Sequence, residues 1–275
     1  MVELKGVSLS YAHKHKRESA ALGQVNAQFE RGNFSAVIGP SGCGKTSLVK
    51  IIAGLLVPDE GDVLVDSNPL KGVRRQTAVI FQDYGLLPWK TVRDNAELPL
   101  RIRSGDRNGS LRFKSGIDQN DRKKVRTLLE EFGLGAFADH YPQQLSGGMR
   151  QRLAIVRALV AEPEILLMDE PFSSLDALTR ESAQDFILSV QRTRRLTVIM
   201  VTHSIEEAVY LADMIYVMNG VNPGSITGRV AISRSGDSPR ERFREAPLFQ
   251  EYCGVLRRDY LCKPVITSSI NGAIS

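Results

Sequence analysis

The chain has 275 residues, 42% of them hydrophobic and 24% charged, so it can bury a full core and suits one large domain or a domain with a sizeable insertion. No apolar run approaches the roughly 18 residues of a membrane-spanning helix, and the first residues lack the apolar core of a secretory signal, so we expect a cytoplasmic chain. The net charge of +5 is weak evidence for nucleic acid, and three cysteines without metal-ligand spacing suit a reducing compartment.

Short β-like runs alternate with helical segments along the chain, which is typical of an α/β protein with a mostly parallel sheet. The predicted strands are Ala36 to Ile38, Val63 to Val65, Val79 to Phe81, Ile165 to Asp169, Thr197 to Thr202 and Ile215 to Met218. Residues 83–159 interrupt the alternation and are predicted to form a helical subdomain. The core is then 1–82 and 160–230, within a domain spanning 1–230, and 231–275 is a C-terminal extension.

The strongest local signal follows the first predicted strand, where Gly39-Pro-Ser-Gly-Cys-Gly-Lys-Thr46 matches the phosphate-binding loop. Glycines let successive backbone N–H groups turn toward phosphates, and the helix predicted from Leu48 presents its positive N-terminal end. Lys45 is expected to reach the β- and γ-phosphates, and the Thr46 hydroxyl to ligate Mg²⁺. The sequence therefore predicts a nucleotide site.

A basic stretch lies in the middle of the chain, with nine Lys or Arg against three Asp between Arg101 and Arg126. Residues 103–121 are polar and glycine-rich and are predicted to form a long surface loop, either solvated or facing lipid headgroups or a partner. Asn120 or Asp121 is expected to cap a following helix. The apolar positions of that helix fall on one face, at Val125, Leu128, Leu129 and Phe132.

A second glycine turn, Leu145-Ser-Gly-Gly-Met-Arg-Gln-Arg152, opens a helix whose buried stripe is Leu153, Val156 and Val160. The Ser146 hydroxyl, the N–H groups of the turn and the helix end would together form a second anion site.

Two adjacent carboxylates, Asp169 and Glu170, end the apolar strand that begins at Ile165. Beside a phosphate-binding loop, Asp169 is expected to hold Mg²⁺ through its water shell, and Glu170 is the candidate base for an attacking water. The chain lacks an Asn-Lys-x-Asp guanine motif, which weakens a GTPase interpretation.

The turn at 145–152 resembles the signature of the ABC ATPase family, Leu-Ser-Gly-Gly-Gln, with Met149 in the last place. Met149 lacks the side-chain amide and is given no ligand role. The resemblance implies a P-loop NTPase (RecA-like) core with a helical subdomain and an antiparallel β edge. It also implies that Mg-ATP is buried between two head-to-tail copies, or between the chain and a paralogue.

Further motifs follow in family order and imply residue roles. Gln82 resembles the Q-loop glutamine that senses Mg²⁺ and the attacking water, His203 the switch histidine at the γ-phosphate, and Tyr11 the aromatic that stacks on adenine. The implied catalytic residues are Lys45, Gln82, Glu170 and His203, and the implied metal residues are Thr46, Gln82 and Asp169. The implied nucleotide contacts are Tyr11, Gly39, Pro40, Ser41, Gly42, Cys43, Gly44, Lys45, Thr46, Ser47, Ser146, Gly147, Gly148 and Asp176, the last in the D-loop.

Residues 81–95 and 169–180 resemble the ATPases of the nitrate/sulfonate/taurine importer group, and 219–226 resembles a strand end of that group. The only tryptophan, Trp89, lies in the first of these motifs, and simple core packing is its alternative explanation.

The group implies a peripheral location on the cytoplasmic face of the membrane, with 83–99 meeting an integral membrane permease. An extracytoplasmic substrate-binding protein would be an indirect partner, and no nucleic acid is expected. Two alternatives stay open: a soluble ABC ATPase acting on ribosomes or DNA, and a non-catalytic nucleotide-binding regulator.

Overall fold

The computed structural model describes residues 1–13, 16–104, 117–220, 223–234 and 240–261. Its strands are β1 (Val2–His13), β2 (Lys16–Phe29), β3 (Phe34–Ile38), β4 (Glu60–Val65), β5 (Asn68–Pro69), β6 (Thr77–Ile80), β7 (Ile165–Asp169), β8 (Thr197–Thr202), β9 (Met214–Met218) and β10 (Ile226–Ala231). Its α-helices are α1 (Lys45–Ile52), α2 (Val92–Ser104), α3 (Gln119–Glu131), α4 (Gly147–Val160), α5 (Ala177–Arg194), α6 (Ile205–Leu211), α7 (Arg240–Phe243) and α8 (Pro247–Val255).

The chain divides into two compact units. The first contains residues 1–74, 167–170 and 187–275, and the second contains 75–166 and 171–186. The second unit therefore includes β6, which was predicted as part of the core, and the described part of 231–275 belongs to the first unit.

The first unit is built on parallel strands. β3 pairs in parallel with β8 on one side and β9 on the other, β10 is antiparallel at the edge, and β7 lies beside β8. Every residue of β3 and β8 is buried. Continuous apolar runs of this kind are typical of strands covered on both faces.

An antiparallel sheet in the order β2-β1-β4-β5 completes the first unit, with Val2 opposite both Phe29 and Val65. It confirms the predicted antiparallel β edge. The residues that alternate inward, such as Val2, Leu4 and Val25, are almost fully buried.

The second unit is mainly helical, and β6 with the start of β7 forms its strands. Val125, Leu128, Leu129 and Phe132 are buried, which confirms the predicted apolar face of α3. The prediction of Asn120 or Asp121 as the cap of this helix is wrong. Asp118 is the N-cap, because its backbone is extended there and its carboxylate accepts a hydrogen bond from the Asp121 N–H at 2.7 Å.

The predicted loop at 103–121 is shorter than expected at both ends, because α2 continues to Ser104 and α3 begins at Gln119. Its centre, 105–116, lies outside the described residues, as do 221–222 of the predicted strand end. The alternative explanation of Trp89, core packing, is wrong, since the residue is 69% exposed. Among the residues that the structure describes, none belongs to a helix with the length and apolarity needed to cross a membrane.

A buried amide fixes the segment before α2. The Asn95 side chain is fully buried, accepts from the Leu87 N–H at 2.8 Å, and donates to the carbonyl oxygens of Leu87, Lys90 and Thr91 at 3.0–3.1 Å. These contacts from one side chain fix the backbone between Leu87 and Thr91, in addition to the backbone hydrogen bond from the Lys90 N–H to the Leu87 carbonyl.

We expect Asn95→Ala to lower the free energy of unfolding by about 1–3 kcal/mol, because it removes the hydrogen bonds that the buried amide makes to the backbone of Leu87, Lys90 and Thr91. Chemical denaturation of the full chain measures this loss. Asn120→Ala, at an exposed position of α3, is the matched control and should change stability by less than about 0.5 kcal/mol. Equal stability of both variants would contradict the role given to the amide.

Candidate active site

The phosphate-binding loop lies directly between β3 and α1, so the N-terminal end of α1 faces the loop. Gly44 precedes the helix with a φ of 96°, and a Cβ there would approach the Ala21 carbonyl oxygen to 2.7 Å. Only glycine fits this backbone and this close approach. The turn that aims the N-terminus of α1 therefore depends on Gly44.

Lys45 is buried and points back into its own loop. Its Nζ donates to the carbonyl oxygens of Gly39 at 2.7 Å and Pro40 at 2.9 Å. The buried Cys43 lies beside it, and burial raises the pKa of the Cys43 thiol, which stays protonated. Neutral carbonyl groups hold the ammonium at the loop. An anionic phosphate would be a stronger acceptor for the same Lys45 N–H groups, because hydrogen bonds to charged acceptors are stronger than those to neutral ones.

Thr46 and Asp169 meet where α1 begins and β7 ends. The Thr46 Oγ1 lies 3.3 Å from the Asp169 Oδ1, and the Asp169 carboxyl is buried. Burial raises the pKa of Asp169, and the hydrogen bond from Thr46 opposes that rise. A hydroxyl and a buried carboxylate side by side are oxygen ligands suited to Mg²⁺, so this pair fits the predicted metal.

Glu170 and His203 form the second contact of the site. The His203 Nδ1 lies 3.1 Å from the Glu170 Oε2. An ionised carboxylate only accepts hydrogen bonds, so Nδ1 carries the hydrogen in this contact. Glu170 has a φ of 47°, a conformation that costs energy for a residue other than glycine and that clusters at functional sites. Its N–H donates to the Val201 carbonyl at 2.9 Å, which holds the turn.

Lys45, Thr46 and Glu170 line a cleft of about 350 Å³ in the first unit. The Tyr11 hydroxyl lies 3.0 Å from the Ser47 Oγ, which fixes the ring at the edge of the cleft. The predicted residues that line it are Tyr11, Ser41, Gly42, Gly44, Lys45, Thr46, Ser47 and Glu170. Sequence reasoning missed two further lining residues, Ser19 and Ala21, because it identified no strand before residue 36.

The second unit carries the other glycine turn. Ser146 caps α4, and its Oγ accepts from the Met149 N–H at 3.3 Å. A Cβ on Gly148 would approach the Thr179 Cγ2 to 2.8 Å, so the turn packs closely on α5. A cleft of about 340 Å³ lies here, lined by Ser146, Gly148, Met149, Arg152, Leu178, Thr179, Ser182 and Ala183.

Gln82 and Asp176 also belong to the second unit, and both are exposed. Gln82 follows β6 after one residue. Asp176 precedes α5, and its Oδ1 accepts from the Thr179 N–H at 3.0 Å. That backbone hydrogen bond lowers the pKa of the Asp176 carboxyl. In this chain Asp176 thus caps a helix beside the Ser146 turn.

A hydrogen-bonded cluster that was not predicted from the sequence surrounds the buried Tyr84. Its hydroxyl donates to the Pro171 carbonyl at 3.3 Å and lies 3.1 Å from the Ser174 Oγ. Arg157 of α4 donates to the backbone carbonyls of Tyr84 and Gly85 at 2.5 and 2.6 Å. The cluster joins the segment after Gln82, the helix after Ser146 and the turn before Asp176. No sequence pattern marks it, because its partners are 72 to 90 residues apart.

A family profile described as "ABC transporter" matches residues 22–173. The chain is 42% identical over 233 residues to an aliphatic sulfonates import ATP-binding protein of Bacillus licheniformis, covering 85% of this chain and 84% of that protein. It is 37% identical over 234 residues to a taurine import ATP-binding protein of Yersinia pestis, covering 85% of each.

Among solved structures, the chain is similar to a dimeric ATP-binding cassette in a post-hydrolysis state bound to ADP and Pi. The TM-score is 0.71 and the sequence identity 30%, over 86% of this chain and 100% of that one. The profile covers more than half of the chain, and the relatives cover most of it. The chain therefore belongs to the ABC transporter family, as an ATP-binding cassette.

Proposed function

We propose that this ABC ATPase drives import through a separate membrane permease, working on its cytoplasmic face as a head-to-tail dimer. The observation that carries the hydrolytic part is the Glu170–His203 contact at 3.1 Å, on a strained residue at the mouth of the phosphate-binding cleft. The importer part is supported by relatives whose names describe import ATP-binding proteins.

The phosphate-binding loop and Lys45 bind the nucleotide in this proposal. The Lys45 ammonium leaves the carbonyl oxygens of Gly39 and Pro40 for the β- and γ-phosphates, and the loop N–H groups add hydrogen bonds. The Tyr11 ring, held by Ser47, stacks on the adenine. Thr46 and Asp169 would hold Mg²⁺, which supplies charge neutralisation at the phosphates when it is bound.

Glu170 acts as the general base. It takes a proton from a water whose oxygen attacks the γ-phosphorus, while the bond from that phosphorus to the β-phosphate oxygen breaks and ADP leaves. His203 donates through Nδ1 to Glu170, which keeps the carboxylate oriented. In the doubly protonated form its Nε2 also donates to the γ-phosphate.

The Ser146 turn supplies the second half of the site to the other copy. A capped, positively polarised helix end suits a phosphate, and one chain carries one copy of each half. The related dimeric cassette with ADP and Pi supports this arrangement. Gln82 and Asp176 would complete the contacts between the halves.

The segment 83–99 would meet the permease. Its exposed Trp89 is an aromatic anchor of the kind that interfaces use, and Asn95 fixes the backbone that presents it. The Tyr84 cluster would pass movement of this segment to α4 and to the turn before Asp176. The cargo would be set by the permease and by an extracytoplasmic binding protein, an indirect partner.

We expect Glu170→Gln to retain ATP binding and to lower turnover by about 10²-fold or more, because the amide cannot accept the proton. Phosphate release and equilibrium nucleotide binding measure the two effects, and the variant should trap an ATP-bound dimer. Glu60→Gln, at the exposed start of β4, is the control of equal charge change. Turnover of the Glu170 variant at the unchanged rate would refute the base assignment.

Ser146→Asp tests the second half-site without removing the helix cap, because aspartate caps as well as serine does. Its negative charge should repel a phosphate and lower turnover by about tenfold or more, with unchanged nucleotide affinity of the isolated subunit. Ser146→Asn keeps the cap without the charge and should retain more turnover. A loss of affinity in the isolated subunit of the Asp variant would contradict a site shared between two copies.

Trp89→Ala should leave ATP binding unchanged and weaken the association with a membrane permease. The tagged full chain is purified from gently solubilised native cells, and the integral membrane proteins that accompany it are quantified. Val57→Ala, at a position 82% exposed, is the control. Equal recovery of the membrane protein with both variants would exclude Trp89 from the interface.

A further inference from the structure

The described part of the C-terminal extension packs on α6, the helix that follows His203 by two residues. We name residues 232–234 and 240–261 the C-terminal brace. Phe249, Tyr252 and Cys253 of α8 and the following Leu256 are buried, and α8 packs against α6. The Tyr252 hydroxyl accepts from the Ser233 N–H at 3.0 Å, which closes the brace on itself.

Arg234 secures the C-terminal end of α6. Its Nη2 donates to the carbonyl oxygens of Val209 at 3.3 Å and Tyr210 at 3.2 Å, and also to that of Ala212. Its Nη1 lies 3.1 Å from the Asp213 carboxylate. These carbonyls are the groups that a helix end leaves without backbone partners, and a cation suits that end of the helix dipole.

Arg257 secures the first turn of α6, where it forms an ion pair with Glu206. The other oxygen of the Glu206 carboxylate accepts from the Ser204 Oγ at 3.1 Å. Cys253 lies close by. Burial, with the Glu206 charge adding to it, raises the pKa of Cys253 to about 11. The brace thus faces Glu206 with one cation and one neutral thiol.

Both sequence neighbours of His203, Thr202 and Ser204, form hydrogen bonds with the first turn of α6. Ser204 caps α6, accepting from the Glu207 N–H at 3.2 Å, and its own N–H donates to the Thr202 Oγ1 at 3.1 Å. The Thr202 hydroxyl donates to the Glu207 carboxylate at 2.7 Å, and that carboxylate is buried. The orientation of His203 toward Glu170 is therefore set by where the first turn of α6 lies.

We propose that the C-terminal brace positions His203 through α6, with Arg257 and Glu206 as positioning residues for hydrolysis. A contiguous series of contacts runs from Arg257 through Glu206 and Ser204 to the histidine. The inference rests on the proposed function in one respect, the role of the Glu170–His203 pair. It gives the extension a part in turnover without contact with the nucleotide.

The test is Arg257→Gln in the full chain, with Arg258→Gln as the control, since both are exposed and lose the same charge. An exposed ion pair biases a conformation modestly, so we expect kcat to fall by about two- to fivefold with KM for ATP unchanged. The Arg258 variant should match the unchanged chain. Arg257→Lys keeps the cation and should restore most of the rate.

A double-mutant cycle tests whether the two residues act as a pair. Glu206→Gln and Arg257→Gln should each lower kcat, and the double variant should lose no more than the larger single loss. Additive losses, or an equal loss in the Arg258 control, would overturn the proposal.

A readout independent of turnover is the imidazole NMR signal of His203 in the labelled full chain. We expect it to shift in Arg257→Gln and not in Arg258→Gln. An unshifted signal in the Arg257 variant would refute the positioning role proposed for the C-terminal brace. An unaltered chain that hydrolyses no ATP would refute the proposed function instead, and the NMR comparison would still decide the brace.

Discussion

The central constraint is that phosphate charge must be met by groups that are already in place when the nucleotide arrives. In the first unit the ends of three buried strands supply them. β3 leads into the phosphate-binding loop, β7 ends at Asp169 and is followed by Glu170, and β8 leads to His203. Because these strands are fixed by burial and pairing, a lysine, two carboxylates and a histidine are held beside the ends of neighbouring strands.

A second consequence is that the polar groups of the site already form hydrogen bonds within the chain. Lys45 is bonded to loop carbonyls, Thr46 to Asp169, and Glu170 to His203. In the proposed mechanism Lys45, Thr46 and Asp169 exchange these partners for Mg-ATP, so no buried charge is left unpaired, while the Glu170–His203 contact is kept. The Ser146 turn is prepared in the same way, with its hydroxyl bonded to its own helix.

Much of this follows from the sequence where the signal is local. The apolar runs at 165–169 and 197–202 match strands residue for residue, because a buried strand can be identified from its own apolar composition. Features that depend on residues distant in the sequence could not be predicted. Trp89 is exposed despite its apolarity, Tyr84 contacts Arg157, which lies 73 residues further along the chain, and the weakly patterned tail packs on α6. The α3 cap was misplaced because several polar residues near it are equally good caps.

The most direct test of a site shared between two copies is complementation between variants in a Glu170→Gln background. One chain adds Lys45→Ala and the other adds Ser146→Asp, so each is defective in a different half. Mixing them leaves one composite site with both halves intact. We predict that the mixture forms an ATP-dependent dimer holding one ATP, while neither chain alone does. A mixture that behaves as the sum of its two components would contradict the shared site.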